Sequence, residues 1–323
     1  MPDAAGSAQP PSPAKKIRDN KRIAGFPLPW PGKTLYSGAM FRLAHLSDLH
    51  IGPLPEPGWR ELAGKRLTGY LNWRRGRAEH HRMAVLDRVL ADIAGVRPDH
   101  VAVTGDLINL GLAGEYGPAL SLLERIGPPD RVSVVPGNHD AYIRATLPAI
   151  VGHWAPWFAG DHEPPPPGLD EAFPFVRRRG RVALIGVNSG VPKPPFLATG
   201  TLGQRQLAAL GETLDALRQE GLARVLLIHH PPFPIGWHKQ LTDHTGLAAI
   251  LSRSGAELVL HGHTHVGSVR QFDGAGGPIP VHGVASASAA DDGTSEPAGW
   301  NLVSIDGAPG AWQVMVETRR PAA

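Results

Sequence analysis

Short apolar runs that break off into polar turns recur along this chain. Phe41 to Leu46 runs into Asp48 and His50, Val101 to Thr104 into Gly105-Asp106, and Val134-Val135 into Pro136-Gly137-Asn138-His139-Asp140. Later, Val225 to Ile228 runs into His229-His230, and Glu257 to Leu260 into His261-Gly262-His263-Thr264-His265. Apolar runs of this length bounded by turn residues read as buried strands. Between them, Met83, Leu86, Val89, Leu90 and Ile93 recur at helical spacing, with Gly95 and Pro98 expected to end that helix. A second helix is expected from Glu115 to Ile126, so the first half reads β-α-β-α-β, with parallel strands under covering helices.

The alternation resumes with strands at Arg181 to Val187, Arg224 to Ile228 and Glu257 to Leu260. The helices between them are marked by Leu207, Leu210, Leu214 and Leu217, then by Leu247, Ile250 and Leu251. Beyond His265 the period shortens to strands at Ser268 to Phe272, Pro280 to Ala285, Asn301 to Ile305 and Trp312 to Glu317. Gly-rich turns separate them, which favours antiparallel pairing. The fold expected is α/β, a two-sheet α/β/β/α sandwich of mixed strands flanked by helices, forming a single domain over 40–320.

Three segments break the pattern. Residues 1–39 are rich in Pro, Gly, Ala and Lys/Arg with no usable period, and are expected to be a disordered leader. Residues 52–81 interleave Trp59, Tyr70 and Trp73 with Arg60, Lys65, Arg66, Arg74, Arg75 and Arg77. They read either as a basic aromatic flap toward an anionic substrate or membrane, with peripheral membrane contact through 59–77, or as a solvated helix whose aromatics pack on the domain. Residues 153–168 look like a surface excursion in which Trp154 and Trp157 serve as a lid or as ordinary packing.

Composition narrows the chemistry. The 323 residues contain no cysteine and 16 histidines, which excludes disulfides, thiolate nucleophiles and zinc-thiolate sites. Any metal must be held by His, Asp, Asn or Glu. The absence of cysteine fits a cytoplasmic protein. The net charge of +3 gives little support for a stable nucleic-acid partner. No apolar run is long enough to span a bilayer.

Taken singly, each Asp or His at a strand end reads as a cap or a hydrogen-bonded structural group. Together they are too many hydrophilic groups to bury side by side without a counter-charge, and divalent cations supply it. Ligands in open α/β sheets sit beyond the carboxyl ends of the strands, where all these groups lie. The donors outnumber one coordination shell, so two ions are expected, and mixed N and O donors suit first-row metals.

The series Asp48-Leu49-His50, Gly105-Asp106, Gly137-Asn138-His139-Asp140, His229-His230 and Gly262-His263-Thr264-His265 resembles the calcineurin-like metallophosphoesterase family, in order and spacing. The resemblance implies that Asp48, His50 and His265 hold one metal, that Asn138, His229 and His263 hold the other, and that Asp106 bridges them. Manganese, iron or zinc is expected. His229 is preferred to His230, which becomes a supporting or substrate-facing residue, and His261 is expected to be structural. A hydroxide bridging the pair would attack phosphorus, with His139 as general acid and Asp140 orienting the His139 ring. The implied activity is hydrolysis of a small phosphodiester, as in the bacterial branch that includes cyclic-nucleotide and glycerophosphodiester hydrolases. Alternatives are a lipid-linked pyrophosphate hydrolase at the membrane surface, a nuclease, or a non-catalytic protein-binding scaffold of the same fold.

Overall fold

The computed structural model describes residues 40–321 apart from 63, 162, 163, 165 and 294. The leader expected over 1–39 lies outside the described residues. In chain order the strands are β1 (Phe41–Leu46), β2 (His100–Val103), β3 (Val132–Val134), β4 (Phe175–Arg179), β5 (Val182–Gly186), β6 (Ala223–Leu227), β7 (Leu258–His261), β8 (Ser268–Gly274), β9 (Gly277–Gly283), β10 (Trp300–Ala308) and β11 (Ala311–Arg319). The helices are α1 (Lys65–Asn72), α2 (Ala78–His80), α3 (Met83–Val96), α4 (Tyr116–Ile126), α5 (Leu147–Trp154), α6 (Gln204–Gln219) and α7 (His244–Ser254).

These strands build two mixed sheets, in the orders β11-β10-β1-β2-β3 and β4-β5-β6-β7-β9-β8. In the first, β1, β2 and β3 run parallel while β10 and β11 add an antiparallel edge, with Phe41 opposite Ile305. In the second, β5, β6, β7 and β9 are parallel, and β4 and β8 close the two edges antiparallel. The expected antiparallel pairing beyond His265 therefore holds for the β8–β9 and β10–β11 hairpins. Where β9 meets β7 it is parallel, because the hairpin folds back and docks by its second strand.

Period-two alternation decides what each face of the second sheet buries. Val182, Leu184, Val225, Leu227, Leu258 and Leu260 point into the large core shared with β1, β2, β3, α3 and α4. Their neighbours Ala183, Ile185, Leu226, Ile228 and Val259 point the other way, onto Leu207, Leu210, Leu214, Leu247 and Leu251 of α6 and α7. Two sheets thus pack face to face under outer helices, as the apolar pattern implied.

Three features that the sequence reading missed or left open have physical causes. The helix α3 passes through Gly95 and stops at Arg97, whose backbone is left-handed (φ 54°). One glycine in a well-buried helix costs only about 1 kcal/mol, less than the apolar face gains. Strand β4 was hidden by Arg177, Arg178 and Arg179. Arg177 is nevertheless buried, because its guanidinium donates to the carbonyls of Ala159, Pro129, Val132 and Pro156. The excursion at 153–168 begins with the last turn of α5, and Trp154, Trp157 and Phe158 are buried in the main core, with Trp157 Nε1 donating to Gly127 O. Packing, not a lid, is their role.

The 52–81 insertion divides. Tyr70 and Trp73 pack against a small cluster of Leu54, Leu110, Leu112 and Tyr142, while Trp59 is 79% exposed. Arg66 anchors α1 by donating to the carbonyls of Leu110 and Gly111, in the loop that follows β2.

Candidate metal centre

All five donor-bearing loops leave the carboxyl ends of β1, β2, β3, β6 and β7. Main-chain hydrogen bonds lace them together: Asp48 N to Gly105 O (2.9 Å), His50 N to Asp106 O (3.0 Å) and Gly262 N to His229 O (3.1 Å). The loops approach so closely that a Cβ on Gly105 would lie 2.6 Å from Gly137 N, and one on Gly137 would lie 2.6 Å from Asp106 N. Only glycine fits there. Asp48, His50, Asp106, His263 and His265 all have left-handed backbones, with φ of 55°, 42°, 55°, 71° and 57°. Asp and His tolerate that region better than most residues, but it is a strained conformation that concentrates at functional sites.

Each carboxylate spends one oxygen on the scaffold and turns the other toward the imidazoles. Asp48 Oδ2 accepts the His263 N–H (2.9 Å), while Oδ1 lies 3.2 Å from His265 Nε2 and 4.0 Å from His50 Nε2. Asp106 Oδ1 accepts the His139 N–H (2.8 Å), while Oδ2 lies 3.4 Å from His229 Nε2 and 3.9 Å from His50 Nε2. Asp106 therefore stands between two donor groups. His50 Nε2 and His265 Nε2 are 3.2 Å apart on one side, and His229 Nε2 is 3.2 Å from both Asn138 Oδ1 and His263 Nδ1 on the other.

The rings are aimed by their outer nitrogens. His229 Nδ1–H donates to Thr104 O (2.7 Å) and His263 Nε2–H to Lys239 O (2.9 Å), which leaves His229 Nε2 and His263 Nδ1 facing inward. Carbonyl partners of this kind fix the tautomer of metal-binding histidines. His230 is different: both its nitrogens are engaged by the fold, with Ser189 Oγ at 2.8 Å and Ala198 O at 3.1 Å, so it supports the site and does not face a substrate. His261, engaged by Gly262 O and Ser268 Oγ, is structural as expected.

The electrostatics call for added positive charge. Burial pushes the Asp48 carboxyl up, but His265 and then His229 pull it down to about 2. Burial likewise opposes ionisation of Asp106, and His229, His139 and His50 outweigh it and hold that carboxyl well below its ordinary value. Burial lowers His229, yet Asp106 and Asp48 raise it to about 9. Burial and then His229 depress His263 to about 3. The protein alone thus compensates its buried carboxylates with a proton on His229, the proton that a metal would displace.

The donors fit divalent cations on three counts. Asp48 Oδ1 is buried and accepts no hydrogen bond. Inward-facing nitrogens 3.2 Å apart are at the separation of adjacent ligands, since bonds of about 2.1 Å at right angles place donors about 3 Å apart. The Asp48/Asp106/His229 group also brings its ligand atoms within 4.8 Å of one another.

Asp140 corrects the sequence reading. Its carboxylate is fully buried and accepts four backbone N–H groups, from Asp106 (2.8 Å), Gly137 (2.8 Å), Leu107 (2.9 Å) and Ile108 (3.2 Å). It clamps the β2 and β3 loops together. The His139 ring is oriented instead by Asn109 O, to which Nδ1–H donates over 2.5 Å. Consecutive side chains in a tight turn diverge, which the run Asn-His-Asp could not reveal.

Beside His139 opens a cavity of about 560 Å³, lined by Lys65, Trp73, Arg75, Tyr142 and Phe196 among others. The Lys65 ammonium lies 4.4 Å from the Tyr142 ring centroid, and burial lowers its pKa to about 8. The insertion therefore contributes a cavity wall. It also contributes His81, which no sequence signal had singled out and which groups with His50 and His265.

Comparison with known proteins is consistent with this geometry. Residues 41–267 match the family model described as calcineurin-like phosphoesterase. A cAMP/cGMP dual specificity phosphodiesterase of Mycobacterium tuberculosis is 29% identical over 76% of this chain and 67% of its own length. A glycerophosphodiester phosphodiesterase of Enterobacter lignolyticus is 26% identical over 71% of this chain and 73% of its own. Among solved structures, a dimetal phosphatase from Danio rerio shares the fold, with a TM-score of 0.56 and 12% identity over 87% of this chain and 99% of that one.

Proposed function

The chain belongs to the calcineurin-like phosphoesterase family and is a metal-dependent phosphoester hydrolase, and from that premise we propose that it is a phosphodiesterase acting on small diesters. Asp48, His50 and His265 would hold one divalent ion, Asn138, His229 and His263 a second, and Asp106 would contribute to both. The mixed nitrogen and oxygen donor set suits manganese, iron or zinc. The observation that carries the proposal is the position of Asp106 Oδ2, within 4 Å of an imidazole from each group.

Bound ions would supply Lewis acidity at the phosphoryl oxygens and a water activated at neutral pH. The chain's own residues do the rest. His139 is half-buried at the cavity edge, and with Nδ1–H committed to Asn109 O its ring is set to deliver a proton from Nε2 to the departing alkoxide. Its main-chain N–H steadies Asp106. Lys65 and Arg75 give the cavity positive charge suited to the anionic diester, and Tyr142, Trp73 and Phe196 give it apolar surface for the leaving group.

Cyclic nucleotides and glycerophosphodiesters are the substrates named for the relatives, and both are small enough for a cavity of about 560 Å³. The lipid-linked pyrophosphate reading has less support, because Tyr70 and Trp73 pack inward and leave Trp59 as the exposed aromatic of that segment. A scaffold would have no use for an unsatisfied buried carboxylate oxygen facing imidazoles. No helix among the described residues is long and apolar enough to cross a membrane, and the lack of cysteine agrees with a cytoplasmic location.

The test is hydrolysis of bis-p-nitrophenyl phosphate and of p-nitrophenyl phosphate by the manganese-loaded chain. Faster turnover of the diester, abolished by chelation, is expected. A preference for the monoester, or no cleavage of either, would overturn the proposal.

A further inference from the structure

His81 reaches the Asp48/His50/His265 group from outside the strand-end loops. We propose that it is an additional nitrogen ligand of the metal held by that group. The inference rests on the reading that this centre holds metal ions.

The geometry comes first. The His81 ring centroid lies 4.4 Å from that of His50 and 5.6 Å from that of His265, and the three residues bring one ligand atom each within 4.8 Å of one another. His81 is buried, at 7% exposure. Its Nδ1 lies 2.9 Å from Ser288 Oγ. With Nδ1–H donating there, Nε2 carries the lone pair that binds a cation. A metal-binding imidazole with its far N–H on a polar anchor is the usual supporting arrangement, and His229 and His263 in this chain show it with carbonyls as anchors.

The backbone around His81 is also fixed to the site. Arg82 N donates to Ser288 O (2.9 Å) and Ala290 N to His80 O (2.8 Å), and His81 forms a bridge with Ala289. Ser286 Oγ in the same loop donates to Asp48 O (2.6 Å). One loop after β9 therefore positions both the first aspartate of the site and His81. The adjacent His80 makes the contrast: its ring turns outward to Asp292 and Ser295, each at 3.3 Å.

The consequence is an asymmetric centre. The half with His50, His81 and His265 has three imidazoles, against two imidazoles and an amide in the half with His229, His263 and Asn138. More nitrogen donors favour the later first-row ions, so the first half binds cobalt or zinc more tightly than manganese relative to its partner.

The test uses the full chain stripped of metal and titrated with Co(II), followed by calorimetry and by the visible d–d absorption. Wild type is expected to take up two ions per chain. In His81→Ala one of the two binds at least about tenfold more weakly with an altered d–d spectrum, while the other is unchanged. His80→Ala leaves both sites as in wild type. Should His81→Ala fail to fold, His81→Phe, which keeps a ring and removes the nitrogen donor, is read the same way once its melting has been matched to wild type. Two ions bound by the variant with wild-type affinity and spectrum would overturn the inference alone. A wild-type chain that takes up no cobalt would instead overturn the function proposed above, and the inference with it.

Discussion

Replacing Asp140 by alanine is expected to unfold the loops that build the centre while touching no atom of a substrate. The carboxylate accepts four main-chain N–H groups at 2.8–3.2 Å in a site fully closed to solvent. A buried amide left without an acceptor costs about 1–3 kcal/mol. The four donors are neighbours and share relaxation, so their costs do not add in full. A loss of at least about 3 kcal/mol is still expected, a large part of the roughly 5–15 kcal/mol that holds a folded domain together. Asp140→Asn keeps one acceptor oxygen but points an NH2 at the remaining amides, and should fall between alanine and wild type. The assay is urea denaturation of metal-free protein in chelator, so that metal binding does not mask the change. Co(II) affinity should fall in parallel, because Asp106 hangs on the same clamp. If Asp140→Ala changed stability by less than about 0.5 kcal/mol and lowered only turnover, the clamp reading would be refuted and the carboxylate would be acting on His139 after all.

Further outcomes follow from the same geometry. His139→Ala should keep two metals by elemental analysis yet lose turnover of the diester by about 10²–10⁴-fold, whereas Asp106→Ala should lose metal as well; equal metal loss in both would refute the division of roles. Because His229 is raised to about 9 in the metal-free chain, it is protonated at pH 7. Metal uptake there should release a proton, measured by calorimetry in buffers of different ionisation enthalpy, and apparent affinity should climb with pH until about 9. Burial lowers Lys65 to about 8, so the folded chain binds fewer protons than the unfolded one between about 8 and the ordinary lysine value near 10.4. This group's contribution to stability therefore rises with pH across that window, while KM for an anionic diester should rise above pH 8 as the cavity loses charge. Lys65→Met should remove that rise in KM, and an unchanged alkaline limb would count against a substrate contact.

Much of this centre could be read from the chain because its donors are local continuations of strongly apolar strands. The buried runs of β1, β2, β6 and β7 read as interior strands, and a loop leaving the carboxyl end of each, two from either sheet, places its first few residues at the same end of the sandwich. What escaped was decided by distant packing. Arg177 looks like surface charge until carbonyls from four separate segment positions converge on its guanidinium. His81 lies in no motif, and its place depends on a loop more than 200 residues later in the chain. Asp140 and His139 are neighbours in sequence whose side chains part at once, one into the clamp and one toward the cavity.

The pairing of β1 with β10 ties one of the earliest described strands to one of the last. Until Ile305 arrives opposite Phe41, the nascent chain carries an open hydrogen-bonding edge beside the very loop that holds Asp48 and His50. Contacts of such long sequence separation are slow to form. Ribosome-bound intermediates halted before β10 should therefore be the species that chaperones hold, and the ones that clump when synthesis stalls.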